Sequence, residues 1–316
     1  MQLIIENRAS AILFNTVISN KLNKGKIMLP ANICPIVPAV LFKAKAKFEF
    51  YDIKLTNYLP DENELYKIIN SSENISAVLY NHTYGVEKNV ETIFENIKEI
   101  NKNIFIINDC CLKKPITEIS VTEADITLYS TGYSKYTDLG FGGFAFLKKN
   151  VKYENSELKY SEKDHKNLVN GFNEVLKAKM KYEYTDTEWL NAEKTTLKKE
   201  KYFNDIKNEL KNAEIHKTIL NNIYKDNIKK EFHLGDEYNN WRFNISVNNK
   251  AYVLKKIFEN GLFASSHYSS LVGTFGKGNG KNAELLHSKV INLFNDFRFN
   301  EEKAGLVSEI INKYAE

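Results

Sequence analysis

Three short stretches of the sequence place reactive side chains directly behind apolar runs. In the first, Ile106-Ile107-Asn108-Asp109 ends a run of branched apolar residues on a carboxylate. The second, Leu128-Tyr129-Ser130-Thr131-Gly132-Tyr133-Ser134-Lys135, leads through small and hydroxyl-bearing residues to a lysine. The third, Gly140-Phe141-Gly142-Gly143-Phe144, is a tight glycine turn into another apolar run. Singly, each has a plain use. A strand-end Asp is more often a helix or turn cap, a lone lysine is a surface group, and a glycine turn marks only close backbone approach. In succession they supply what pyridoxal phosphate needs. An Asp keeps the pyridine nitrogen protonated so that the ring accepts electrons, hydroxyls bind the phosphate, and a lysine bonds the aldehyde and then carries protons.

The elements that must position these residues can be read from the hydrophobic pattern. Met1–Glu6, Ile27–Leu29, Phe48–Tyr51, Ala77–Tyr80, Ile104–Ile107, Ile126–Tyr129 and Phe144–Leu147 read as strands. Helical patterns over Ile36–Phe42, Glu62–Ile69 and Asn89–Ile100 alternate with them, which predicts βαβ units and a mostly parallel sheet. In such sheets ligands lie beyond the carboxyl ends of the strands, where the three stretches fall. From about residue 150 the character changes to long helical stretches rich in Lys, Glu, Asn and Leu over 161–230. A strand over Trp241–Val247, a helix over Tyr252–Asn260 and a terminal helical segment predict a small C-terminal α/β domain. The expected division is a large domain over residues 1–225 and a small one over 226–316. Glycines at 273, 276, 278 and 280 mark a plain loop, since the Lys-Ser/Thr ending and preceding strand of a P-loop are missing.

Composition narrows the class. The chain has 316 residues, enough for a sizeable core and two domains. Its 44 basic and 40 acidic residues give a net charge of only +4, and runs such as Lys198-Lys199-Glu200-Lys201 interleave both signs, so nucleic acid is not indicated. No apolar run is long enough to cross a bilayer, and the N-terminus reads as a strand rather than a signal peptide. Three cysteines, two adjacent at 110 and 111, suit neither a disulfide framework nor CxxC metal spacing. A cytoplasmic protein with reduced thiols and no metal is expected.

The ordered set of motifs resembles the DegT/StrS-type sugar aminotransferases, a fold-type-I pyridoxal-phosphate family. The resemblance runs through Leu29-Pro30-Ala31-Asn32-Ile33-Cys34-Pro35, Phe50-Tyr51-Asp52-Ile53 and His82-Thr83-Tyr84-Gly85. It continues through Asp109, Ser130 to Lys135, and Gly142-Gly143. Near the C-terminus Trp241-Arg242-Phe243, Gly261 to Ser265 and His267-Tyr268 take part. It covers nearly the whole chain and is weakest over residues 150–235.

What the resemblance implies is specific. The fold would be a large domain with a seven-stranded-type sheet between helices, plus a small C-terminal α/β domain. Lys135 would form the Schiff base, Asp109 would meet the pyridine nitrogen, and Ser130 would bind the phosphate. Arg8, Ala9 and Ser10 would stand at the opening of a helix whose N–H groups face that phosphate. Cys34 would lie where relatives stack an aromatic ring on the cofactor. His82, Tyr84 and His267 would line the substrate side. The reaction would move an amino group from glutamate or glutamine to a keto group on a nucleotide-linked sugar, for surface polysaccharide or glycan synthesis, in a homodimer. Some relatives replace the lysine by histidine and dehydrate the sugar, so Lys135 favours transamination.

Departures from the family pattern bear on the substrate more than on the cofactor. Leu112 stands where a Gln or His is common, Phe141 where a Glu is common, and no glycine precedes Gly25. A smaller keto or aldehyde substrate, or a cofactor-binding relative without turnover, are the alternatives.

Overall fold

The computed structural model describes residues 1–118 and 122–316. Its first half runs β1 (Gln2–Glu6), α1 (Ala9–Ser19), β2 (Lys26–Pro30), α2 (Ile36–Lys43), β3 (Lys47–Tyr51), α3 (Glu62–Ser71) and β4 (Ile75–Asn81). It continues with α4 (Glu91–Ile100), β5 (Phe105–Asp109), β6 (Ile126–Ser130) and β7 (Gly143–Leu147). These strands form one seven-stranded sheet in the order β1-β7-β6-β5-β4-β2-β3. Strands β3, β2, β4, β5 and β6 are parallel, while β7 runs antiparallel to both β6 and β1. All these strands were legible because β2, β4, β5 and β7 are buried almost throughout, so they read as continuous apolar runs rather than alternating ones. The helices show the complementary pattern. In α3 the Asp61 carboxylate caps the amides of Asn63 and Glu64, and Leu65 and Ile69 form the buried stripe.

The strand order changes direction between β2 and β4, so the connections leaving those strands diverge and open a crevice at their carboxyl ends. The segments after β2, β4, β5 and β6 all emerge there. They carry Cys34, His82, Asp109 and Lys135.

The second half contains α5 (Glu162–Ala178), α6 (Lys199–Asn227), β8 (Phe243–Ser246), α7 (Lys250–Glu259), β9 (Ala264–Ser265), α8 (Lys281–Lys289), β10 (Val290–Leu293) and α9 (Glu301–Tyr314). A three-stranded antiparallel sheet has the order β8-β10-β9. Two features differ from the sequence expectation. The strand expected over Trp241–Val247 is shorter, because Trp241 and Arg242 precede the ladder and send their side chains to the crevice. Strands β9 and β10 lay hidden because α8 passes into β10 at Lys289-Val290 with no breaker residue between them.

Two cores meet along α6. Near its start Tyr202 and Ile206 pack with Phe144 and Phe146 of β7. Near its end Leu220 and Tyr224 pack with Phe243, Ile245 and Val307 around the small sheet. The glycine-rich stretch over 273–281 is also structured. Phe50 N–H donates to Lys277 O at 2.9 Å and Asn279 N–H donates to Phe50 O at 3.2 Å. Gly278 has φ +143°, and a Cβ there would lie 2.1 Å from Phe50 O, so close approach to β3 requires glycine.

Candidate active site

At the end of β5 Asp109 turns one carboxylate oxygen back on its own loop, where Cys111 N–H donates to Oδ1 at 2.9 Å. Among the described residues nothing donates to Oδ2. One residue earlier, the Asn108 Oδ1 meets His82 Nε2 at 2.9 Å. His82 is 2% exposed, and burial, reinforced by Lys113, lowers its pKa to about 3, so the ring is neutral. It lies behind Asp109 as a buried neighbour of the β5 end.

Beyond β6 the chain folds over as a loop that returns through Gly140-Phe141-Gly142 into β7. Thr131 N–H donates to Gly142 O and Leu139 N–H donates to Thr131 O, closing the loop at its base. Lys135 sits half-buried on this loop and, among the described residues, makes no hydrogen bond or ion pair. Its charge reaches the thiols of Cys34 and Cys111 and the ring of His267. Asp109 likewise acts on Cys34, Cys111 and Tyr268. Lys135 and Asp109, 26 positions apart, therefore face one crevice with Cys34, Cys111, His267 and Tyr268 around them.

One end of that crevice is suited to an anion. Helix α1 opens there with Arg8 at its N-cap position, has no acidic residue in its first turn, and takes no side-chain cap. Arg8 Nη1 donates to Gly140 O at 2.8 Å. A Cβ on Gly132 would lie 3.4 Å from Arg8 Nη1 and 3.5 Å from Ser130 Oγ, so guanidinium and hydroxyl converge on that glycine. Ala9 is buried against Gly143, whose added Cβ would come 2.4 Å from Ala9 N. Ser10 follows in the first turn of α1, half-buried.

The other wall comes from the C-terminal half. His267 packs against both Trp241 and Tyr268, with ring centroids at 5.8 and 4.9 Å, beside the stack those two rings make with each other. Burial, with Arg242, His287 and Lys135 nearby, lowers its pKa to about 3. Tyr84 is 1% exposed, and its hydroxyl donates to His267 O at 2.8 Å, tying the loop after β4 to the segment after β9. Arg242 donates through Nη1 to Ser265 Oγ at 2.6 Å and lies over the rings of Trp241 and Phe294 at 4.7 and 3.7 Å. Its Nε is buried and, among the described residues, has no hydrogen-bond partner. Desolvation raises the Cys34 thiol and takes that of Cys111 well above its ordinary range, so both stay protonated.

No protein-family model matches the chain, and no curated protein matches it in sequence. Solved structures do match. A DegT/DnrJ/EryC1/StrS aminotransferase from Brucella abortus superposes with a TM-score of 0.70 at 15% identity, covering 99% of this chain and 86% of its own. A Streptococcus pneumoniae protein described as a sugar aminotransferase, in its PLP form, gives 0.72 at 14%, covering 98% and 86%. The GDP-4-keto-6-deoxy-D-mannose-3-dehydratase of Escherichia coli, with bound hydrated PLP, gives 0.61 at 14%, covering 98% and 87%. The chain has the sugar-aminotransferase fold. At this identity the likeness fixes architecture, and the chemistry rests on the residues in the crevice.

Of the residues singled out in the sequence, Lys135, Asp109, Cys34 and His267 lie within reach of one another's charge, Arg8, Ala9, Ser10 and Ser130 gather where α1 opens, and His82 and Tyr84 are buried behind them. Arg242, Tyr268 and Cys111 join them without having been assigned a role. Their sequence signals were the Trp241-Arg242-Phe243 and His267-Tyr268 segments of the resemblance and the adjacent pair Cys110-Cys111, none of which carried a role.

Proposed function

We propose that the chain is a pyridoxal-phosphate-dependent aminotransferase that delivers an amino group to a ketone on a sugar. The observation that carries it is that Lys135 and Asp109 both act on the thiols of Cys34 and Cys111, in a crevice whose end holds Arg8, Ser130 and the start of α1. The residues fit the cofactor chemically: a cationic, hydroxyl-lined end for a phosphate and, among the described residues, a carboxylate oxygen without a donor for a ring nitrogen and an unengaged amine for an aldehyde.

When bound, pyridoxal phosphate supplies an electron sink conjugated to the bond being broken. The chain's part begins at the phosphate, which Arg8, Ser130 Oγ and the amides opening α1 would hold. Asp109 Oδ2 would retain a proton on the pyridine nitrogen, while the Cys111 N–H keeps the carboxylate oriented. Lys135 Nζ would take the proton from the donor α-carbon and deliver it to the carbon two bonds away. Neutral His267, Cys34 and Cys111 leave Lys135 as the proton carrier among the described residues. Arg242 adds a buried positive charge that suits the carboxylate of an amino-acid donor such as glutamate. A nucleotide on the sugar, a second subunit closing the crevice, and a cytoplasmic setting for the three free thiols belong to the same proposal.

The test is an absorbance spectrum of the protein with added pyridoxal phosphate, then borohydride reduction and peptide mapping. A visible band that becomes fixed on the peptide carrying Lys135, and its loss in Lys135→Ala with an unchanged circular dichroism spectrum, is expected. Label on another lysine, or none, would sink the assignment. Appearance of 2-oxoglutarate from glutamate in the presence of keto sugars then reads turnover.

A further inference from the structure

The residue before the candidate lysine is held from three sides, by Asp138 and Trp241, which take no part in the proposed chemistry, and by Arg242. Ser134 has a left-handed backbone, φ 57°, a conformation that a residue with a side chain keeps only when its surroundings impose it. Its N–H donates to Asp138 Oδ2 at 2.7 Å. Its carbonyl accepts from Trp241 Nε1 at 2.7 Å. Its hydroxyl lies 3.4 Å from Arg242 Nη2.

Asp138 is itself spoken for. Its other oxygen accepts from Gly140 N–H at 2.9 Å, and Arg298 pairs with Oδ2 while reaching Asp296 at 2.9 Å. The Asp138 side chain is 7% exposed, so the pair is shielded from water. On the far side of the lysine, the Tyr136 ring lies 4.8 Å from the buried ammonium of Lys217, which donates to Trp241 O at 2.7 Å. Both neighbours of Lys135 are thus tied to the C-terminal half of the chain, while its own amine makes no bond among the described residues.

We propose that Asp138 and Trp241 form a clamp on Ser134, braced by Arg298, that sets where the Lys135 amine stands and keeps it unengaged. They are positioning residues: they act through the Ser134 backbone rather than on substrate. The inference rests on Lys135 being the cofactor lysine, yet the clamp is readable without the cofactor. With the Ser134 backbone fixed on one flank and the Tyr136 ring packed on the other, Lys135 moves chiefly through its own side-chain torsions. The amine can then leave and return to the same atom within a turnover.

In Asp138→Asn a single oxygen replaces two, so one of the two amides meets an N–H₂ group and Arg298 keeps only Asp296 as a counter-charge. The first readout is amide hydrogen exchange of the full chain without cofactor, followed on peptides covering residues 131–141. Exchange in D138N is expected to be faster by roughly 10-fold there, with distant peptides unchanged. The second readout is the rate at which pyridoxal phosphate becomes borohydride-fixed on Lys135, which should fall by about 10-fold or more. The third is turnover, where kcat should fall while KM for glutamate changes less than about threefold. Unchanged exchange and capture in D138N would overturn the clamp. So would exchange that rises equally across the whole chain, because that marks general loosening. If D138N does not fold, Trp241→Phe keeps a ring but removes the donor to Ser134 O. Faster local exchange and slower capture in W241F would support the clamp, and wild-type values of both would overturn it. A wild-type protein that takes up no cofactor would defeat the functional reading, and local exchange would still decide the clamp.

Discussion

Lys217 offers a quantitative check on the packing behind the reactive loop. It is 4% exposed, and its ammonium donates to Trp241 O and to Asn295 Oδ1 at 2.7 and 2.9 Å. Burial lowers its pKa from 10.5 to about 7. Asp296 opposes the shift, and Arg242 and Arg298 reinforce it. The sign follows from proton counting. Between pH 7 and 10.5 the unfolded chain holds a proton at this amine and the folded chain has largely lost it, so stability rises with pH across that window. The cost of the buried charge is therefore fully present below pH 7 and fades as the pH climbs. For one such group the gain between pH 7 and pH 9 is about 2 kcal/mol. Replacing Lys217 by Met removes the titration, so the wild-type stability minus that of K217M should rise by that amount over the interval. Urea unfolding followed by circular dichroism, at half-unit pH steps with equal m-values, measures it. A difference that stays level within about 0.5 kcal/mol would refute the dry environment inferred around the Trp241 carbonyl.

Three further outcomes can be measured. Asp109→Asn keeps an oxygen for the Cys111 N–H but removes the charge, so cofactor capture should persist while kcat falls about 100-fold or more in a glutamate half-reaction assay; full turnover would exclude Asp109 from the chemistry. Gly143→Ala sets a methyl 2.4 Å from Ala9 N, which should cost about 1–3 kcal/mol in urea unfolding and weaken phosphate-dependent cofactor binding. Tyr84→Phe deletes the bond to His267 O, and about 1 kcal/mol of stability should go with it, read as a lower denaturation midpoint.

The large sheet was legible because its strands are covered on both faces. Sequences such as Ala77-Val78-Leu79-Tyr80 and Phe144-Ala145-Phe146-Leu147 have no polar alternation to confuse with surface. The candidate site residues stood out for a related reason, since Asp109 and Ser130 each end one of those runs. What escaped detection depends on distance along the chain. The pairing of Arg298 with Asp138 spans 160 positions, and that of Trp241 with Ser134 spans 107. Neither partner carries a local pattern that names the other. Strand β10 escaped because Val290-Ile291-Asn292-Leu293 follows α8 without punctuation, and four residues are too few to separate a strand period from a helical one.

The bond between Lys277 and Phe50 has a bearing on solubility. Strand β3 is an outermost member of the large sheet, with Phe48 and Phe50 on it, and an outermost strand offers unmatched amides to any other chain that can lie alongside. Here the stretch around Gly278 lies alongside instead, more than two hundred residues further on, and it fits only while a side chain is absent at that glycine. A bulky replacement at Gly278 would unseat it and turn the margin of the sheet into a template for self-association. The protein would then be lost to precipitation during expression before any question of catalysis arose.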